Sequence, residues 1–337
     1  MLAVALVGVA RGYSQALFRF GVIADVQYAD IEDGPNHSRT RTRRYRQSLE
    51  TLREASEAFA DLDFCVALGD VVDTKASRLR WSALESVKEA MGNAGKWHVP
   101  PGNHDLSVFE RSELRSLLAN APEDRLYYDW EPAVGWRCAV LDAYEISVVG
   151  GAGERRERGA RLLASNNPNV DPAFPTKSSS ETPRASWLDG LTDDNDFRWV
   201  PYNGGYGETQ LKWFEWILRD ADLKGQKLIV FSHPPVYREA SRPNNCAWDF
   251  DRILRSIDRR PNVLALFFAG HDHDGGFAVR CPGEHHLTPP APIECAEGEV
   301  AYGTVAVFPN HVDILWTGKT PVSPAHPWPT RLHFPRA

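Results

Sequence analysis

No run of about eighteen apolar residues occurs in this chain, so no segment of it is long enough to cross a bilayer as a helix. No Cys-x-x-Cys pair occurs either. The five cysteines, Cys65, Cys138, Cys246, Cys281 and Cys295, are scattered, which suggests neither a disulfide framework nor a thiolate zinc site. Net positive charge is also missing: a formal charge of −7 leaves no general field to gather polyanions, which argues against nonspecific nucleic-acid binding. The apolar opening, residues 1–10, has no basic residue before it and is short for a secretion signal. The Gly-rich stretches at 150–153 and 204–207 do not fall between a strand and a helix with the spacing that a dinucleotide fingerprint requires. Together these absences predict reduced thiols in a cytoplasmic setting, with no nucleic-acid or membrane partner; the chain is expected to be a monomer.

What is present is ordinary in bulk and unusual in pattern. The chain has 337 residues, 42% hydrophobic and 25% charged, enough to bury a large core. Short apolar runs at 18–24, 63–68, 96–99, 137–142, 228–232 and 264–269 read as buried strands. Between them lie helical stripes: Leu49, Leu52, Ala55 and Phe59; Trp81, Leu84, Val87 and Met91; and Leu211, Phe214 and Leu218 within 210–221. A further helix is expected at 249–257, and strands at 300–308 and 312–317. Strand-helix alternation predicts an α/β fold.

The composition divides the chain into an N-terminal extension at 1–17, one domain at 18–317 and a Pro-rich tail at 318–337. Within the domain, residues from about 150 to 206 are rich in Asn, Pro, Ser, Asp and Arg and read as an insertion, of the kind that is often functional.

Five blocks follow these apolar runs in order: Asp25-Val26-Gln27, Gly69-Asp70-Val71-Val72-Asp73, Gly102-Asn103-His104-Asp105, Ser232-His233-Pro234 and Gly270-His271-Asp272-His273. Each carries oxygen or imidazole groups of the kind that divalent metals take. Asp25 and Gln27, like His271 and His273, are two residues apart, a spacing that puts both side chains on one side of extended backbone. Asp70 follows a glycine and is the natural carboxylate to be shared by two ions. Taken singly, a Gly-Asn-His-Asp is a polar turn and an Asp-x-Gln carries no signal. The ordered set is what points to a metal site.

In that order the blocks resemble the calcineurin-like metallophosphoesterase superfamily, over about residues 18–316. More narrowly, the chain resembles the manganese-dependent ADP-ribose/CDP-alcohol diphosphatases. Residues 23–34 (Ile-Ala-Asp-Val-Gln-Tyr-Ala-Asp-Ile-Glu-Asp-Gly), Leu141-Asp142-Ala143-Tyr144, Asn203-Gly204-Gly205, residues 269–276 (Ala-Gly-His-Asp-His-Asp-Gly-Gly) and Tyr302-Gly303-Thr304-Val305 carry that narrower match. The resemblance implies an α-β-β-α sandwich of two mixed sheets flanked by helices. It also implies one ion held by Asp25, Gln27, Asp70 and His273 and a second by Asp70, Asn103, His233 and His271. Gln27 stands where most of the superfamily has histidine, which exchanges an imidazole for an oxygen and favours hard ions. Mn²⁺ is therefore expected, with Mg²⁺, Zn²⁺ and Fe open. Asp73 stands where an iron-tyrosinate site would need tyrosine.

The implied reaction is hydrolysis of the phosphoanhydride of ADP-ribose, CDP-choline or CDP-glycerol, giving a nucleoside monophosphate and a phosphorylated sugar or alcohol. His104, beside Asn103, is the expected donor to the leaving oxygen, and Asp73 its orienting partner. Asn36, Asn203, Gly204, Tyr206 and Cys246 are the expected substrate contacts. The basic run Arg39, Arg41, Arg43, Arg44 and Arg46 is read as the solvated opening of a helix at 47–60 rather than a diphosphate clamp. Two other functions fit the blocks: a phosphatase or phosphodiesterase acting on a phosphoprotein, cyclic nucleotide or lipid head group, and a non-catalytic scaffold, which the full ligand set disfavours.

Overall fold

The computed structural model describes residues 16–36, 38–93, 96–116, 120–122, 124–150, 153–171, 187–321 and 327–334. Most of the expected N-terminal extension, His37, parts of the 150–206 insertion and parts of the tail lie outside the described residues.

In chain order the elements begin with β1 (Phe18–Ile23), β2 (Gly34–Pro35), β3 (Thr42–Arg43), α1 (Tyr45–Ala58), β4 (Phe64–Ala67), α2 (Arg80–Met91), β5 (Trp97–His98) and α3 (Asn103–Val108). Next come β6 (Tyr128–Ala133), β7 (Trp136–Val140), β8 (Ile146–Ser147), α4 (Glu154–Asn166), β9 (Gly204–Gly205), α5 (Glu208–Leu223) and β10 (Lys227–Ser232). Last are α6 (Phe250–Asp258), β11 (Leu264–Ala269), β12 (Gly276–Cys281), β13 (Glu284–Thr288), β14 (Ala301–Val307), β15 (His311–Gly318) and β16 (Arg331–His333).

Two six-stranded sheets result, in the orders β16-β15-β14-β1-β4-β5 and β12-β13-β11-β10-β7-β6. Both are mixed. β1, β4 and β5 run parallel while β1 and β14 pair antiparallel, and β7, β10, β11 and β13 run parallel between antiparallel edges. The period-two alternation of each strand assigns its faces. Phe18, Phe20, Val22, Phe64 and Val66 meet Ile229, Phe231, Leu266 and Phe268 between the sheets, where the Phe20 and Phe64 rings stack at 5.0 Å.

The opposite faces are covered by helices. Ile23, Cys65 and Ala67 pack against Leu49, Leu52 and Ala55 of α1 and Leu84 and Val87 of α2. Leu228 and Val230 pack against Leu211, Phe214 and Leu218 of α5 and Ile253 and Ile257 of α6. This is the expected sandwich of two mixed sheets between helices. One stripe departs from expectation: Trp81 is 49% exposed, because it opens the first turn of α2 and lies over Phe109 beside Arg80 instead of entering the core. Among the described residues, no helix is long and apolar enough to cross a membrane.

The C-terminal ends of the parallel strands in both sheets lead into one set of loops. β1 leads to Asp25, β4 to Asp70, β5 to Asn103, β10 to His233 and β11 to His271 and His273. Strand ends of this kind are where open α/β sheets place their ligands.

Candidate metal centre

The backbone of these loops is unusually constrained. Five non-glycine residues among those described have positive φ, and four of them are Asp25 (44°), Gln27 (45°), Asp70 (53°) and His271 (69°). Left-handed backbone costs a side-chain-bearing residue about 1–3 kcal/mol, so its concentration here marks a set of side chains aimed by their loops. The first two loops hold one another: Gln27 N donates to Asp70 O at 2.8 Å and Tyr28 N to Val71 O at 3.0 Å. Gly102 fits underneath only because it has no side chain, since a Cβ there would lie 2.3 Å from Asp70 N.

The other six candidate ligands gather about Asp70. Its Oδ2 lies 3.3 Å from His233 Nε2 and 3.2 Å from Gln27 Nε2. Around it, His233 Nε2 is 3.2 Å from Asn103 Oδ1 and 3.1 Å from His271 Nδ1, while Gln27 Nε2 is 2.9 Å from His273 Nε2 and Asp25 Oδ1 is 3.6 Å from His273 Nε2. Ligand atoms of Asp70, His233 and His271 all lie within 4.8 Å of one another. Asp25 Oδ1 and Gln27 Oε1 are buried without any hydrogen-bond partner. Buried oxygens left unpaired are costly, and both belong to the donor set that a hard divalent cation takes. The residues present therefore fit such a cation.

Electrostatics point the same way. Burial opposes a charged His233, yet Asp70 and Asp25 outweigh it and hold its pKa at about 9. Burial likewise opposes a charged His273, but Asp25 and Glu294 hold it at about 9. His271, buried next to His233, is pushed well below the usual histidine range. The carboxylates thus demand positive charge among the imidazoles, and bound cations would replace those protons.

Each imidazole is held from behind. His233 Nδ1 lies 2.7 Å from Leu68 O, His271 Nε2 2.8 Å from Asn203 Oδ1, and His273 Nδ1 2.8 Å from Glu294 Oε1. Such partners orient ligating histidines. His104 stands to one side, its Nδ1 3.1 Å from Asp73 Oδ2, and its backbone N–H donates to Asp70 Oδ1 at 2.8 Å. A cavity of about 640 Å³ opens over the cluster, walled by His104, Asn36, Arg41, Trp187, Tyr202 and Arg242 among others.

Of the expected substrate contacts, Asn36 lines this cavity. Asn203 is fully buried and reaches the site only by holding His271. Gly204, Tyr206 and Cys246 do not reach the cavity. Gly204 is packed against Ala143 O, Tyr206 is turned into the core with its hydroxyl 3.1 Å from Ser232, and Cys246 is core, its sulfur 3.5 Å from the Ser241 hydroxyl. The basic run also divides. Arg46 is exposed and bonds Asp30 and Glu32, as a solvated helix opening would, but Arg41 lines the cavity and Arg43 is 7% exposed between two carboxylates.

Five contributors were given no role by the sequence. Glu294 backs His273; Asp105 accepts four loop amides; Tyr144 donates its hydroxyl to Asn103 Oδ1 at 3.3 Å; and Tyr202 and Trp187 supply aromatic wall. Only Asp105 had a local signal, an acidic residue in the first turn of a helix directly after a ligand pair.

Two mixed sheets with paired ligand clusters at their strand ends define a metallophosphoesterase. The calcineurin-like phosphoesterase family matches residues 18–275, and the chain belongs to that family. Within it, the chain groups with proteins named manganese-dependent ADP-ribose/CDP-alcohol diphosphatase. That of Arabidopsis thaliana is 35% identical over 315 residues, 90% of this chain and 96% of that protein. The Homo sapiens protein of the same name is 32% identical over 333 residues, 91% of this chain and 92% of its own. A solved dimetal phosphatase from Danio rerio superposes with a TM-score of 0.80 at 31% identity, covering 91% of this chain and 98% of that one.

Proposed function

We propose that this chain hydrolyses the phosphoanhydride bond of ADP-ribose and CDP-alcohols, such as CDP-choline and CDP-glycerol, with manganese as its cofactor. The products are a nucleoside monophosphate and a phosphorylated sugar or alcohol. The relatives' names support the substrate class. The observation that carries the reading is the gathering of six candidate ligand side chains about Asp70, with Asp25 Oδ1 and Gln27 Oε1 buried and unpaired.

In this reading Asp25, Gln27, Asp70 and His273 hold one divalent ion and Asp70, Asn103, His233 and His271 a second. The ion pair supplies Lewis acidity, which lowers the pKa of water for in-line attack and offsets charge on the nonbridging oxygens. The chain's own residues do the rest. Asp25 and Asp70 provide the negative charge that retains the cations, and the strained loops fix ligand directions before substrate arrives. Asp73 Oδ2 and the Thr74 hydroxyl, 3.1 and 2.9 Å from Nδ1, hold the His104 ring on that side, which leaves Nε2 to donate to the departing phosphate oxygen. Trp187 and Tyr202 line the cavity together with Arg41, Arg43 and Arg242, a mixture of aromatic surface and positive charge that suits an organic diphosphate. The charge of −7 and the free thiols support a monomer of the cytoplasm that takes a small molecule rather than nucleic acid or membrane.

The test is product analysis. Metal-stripped protein receives Mn²⁺ or Mg²⁺ with ADP-ribose, CDP-choline or p-nitrophenyl phosphate in parallel. AMP and CMP appearing only with added metal, fastest with Mn²⁺, is the expected result. Activity confined to the monoester would move the function to another phosphoesterase.

A further inference from the structure

Arg43 ends the β2–β3 ribbon, and the next residue ties that ribbon to the far side of the site through Arg44 N donating to Ile293 O at 2.8 Å. Its guanidinium is almost fully buried, with Nε 3.3 Å from Glu294 Oε1 and NH1 3.6 Å from Asp73 Oδ2. Those same two oxygens each face a histidine of the site. Asp73 Oδ2 lies 3.1 Å from His104 Nδ1, and Glu294 Oε1 lies 2.8 Å from His273 Nδ1.

We infer that Arg43 is a positioning residue that couples His104 to His273, through a continuous chain His104–Asp73–Arg43–Glu294–His273. It deepens the reading above, in which His104 serves the leaving group and His273 holds an ion. The charge balance explains why an arginine stands here. The Asp73 and Glu294 side chains are 1% and 6% exposed, and two carboxylates so withdrawn from water and this close to one guanidinium share it as counter-charge. Lys75 N holds the other oxygen of Asp73 and Asn36 the other oxygen of Glu294, so removing the guanidinium leaves both carboxylates in place but strips the shared counter-charge from the two oxygens that face the histidines. A planar fork can serve two acceptors on divergent lines, whereas an ammonium is a point donor.

Because Arg43 acts through Asp73, its loss and the loss of His104 should overlap. The experiment is a double-mutant cycle on purified, manganese-loaded protein with Arg43→Ala, His104→Ala and the pair, read as kcat and KM on the best anhydride substrate found. Arg43→Ala is expected to lower kcat by about 30-fold with KM within about threefold, and to cost less than about threefold more in the His104→Ala background. Manganese affinity, read by calorimetry, is expected to weaken about tenfold, the size of effect seen when a ligand's backing partner is lost. Arg43→Lys is expected to recover part of kcat, and its circular dichroism and melting curve keep the test valid should the alanine variant not fold. Full additivity of the two kcat losses, or a KM rise at unchanged kcat, would overturn the coupling; the latter would make Arg43 a substrate contact. If neither ADP-ribose nor CDP-choline is cleaved, the substrate assignment fails, while the cycle still runs on whichever phosphoester the protein turns over.

Discussion

Asp105 accepts the backbone N–H of Asp70 at 2.7 Å, from a position where its other oxygen takes the amides of Val71 and Val72. The oxygen that receives Asp70 also takes Gly102 N at 3.1 Å. One buried carboxylate therefore clamps the loop of the shared ligand to the loop that carries Asn103 and His104, and this explains how Asp70 keeps its left-handed backbone.

Replacing this clamp is expected to injure both fold and metal binding. Asp105→Ala leaves four amide donors without their acceptor, and each buried unpaired group costs about 1–3 kcal/mol. A loss of roughly 4 kcal/mol in urea unfolding, with weaker manganese binding, is the expected outcome. Unchanged stability would show that the clamp is incidental.

Gln27→His should alter the choice of metal more than the presence of activity. The substitution adds a borderline-soft imidazole where an amide oxygen stands, and the backbone there already tolerates a long side chain. The ratio of Mn²⁺- to Zn²⁺-supported turnover is expected to fall about tenfold. An unchanged ratio would remove Gln27 from the ligand set.

His104→Ala should separate binding from chemistry. The side chain lines the cavity but is no ligand in the proposed set, so manganese affinity stays near wild type. Turnover of the anhydrides is expected to drop about 10²-fold, and that of an alkyl phosphoester, whose alkoxide leaving group depends far more on a proton, about 10⁴-fold. Equal losses on both would contradict a donor role.

Away from the site, Glu284 is fully buried in β13, where it meets His286 Nε2 at 2.7 Å and Arg280 through both oxygens. Burial pushes its pKa up, but the His286 and Arg280 bonds prevail and hold it at about 2, below the usual 4.5. A depressed carboxylate stabilises the fold fully above its unfolded pKa, and that stability fades as pH falls from there through the folded value. Glu284→Gln is therefore expected to cost about 3 kcal/mol at pH 7 and less than half of that near pH 3. Urea denaturation at the two pH values checks the sign.

The pattern of legibility has a physical cause. Strands and ligand loops were readable because an apolar run and the polar block after it are local in sequence, as with β11, whose predicted span matches the observed Leu264–Ala269. The partners behind the ligands were not. Glu294 meets His273 across a hairpin, and Arg43 meets Glu294 across 251 positions, distances over which no periodicity carries information. Tyr206 and Cys246 misled because polar-looking loop residues near Gly-rich turns were taken to face a ligand, whereas both fill the core behind α5 and α6. Trp81 misled in the other direction, a large apolar side chain in helical phase that the first turn leaves outside.

The central claim is that one carboxylate, Asp70, is shared by two ions. Electron paramagnetic resonance of the protein loaded with two equivalents of Mn²⁺ tests it most directly. The account predicts an exchange-coupled multiline spectrum in wild type that gives way to isolated-ion signals in Asp70→Ala. A spectrum of uncoupled ions in wild type would contradict a shared site.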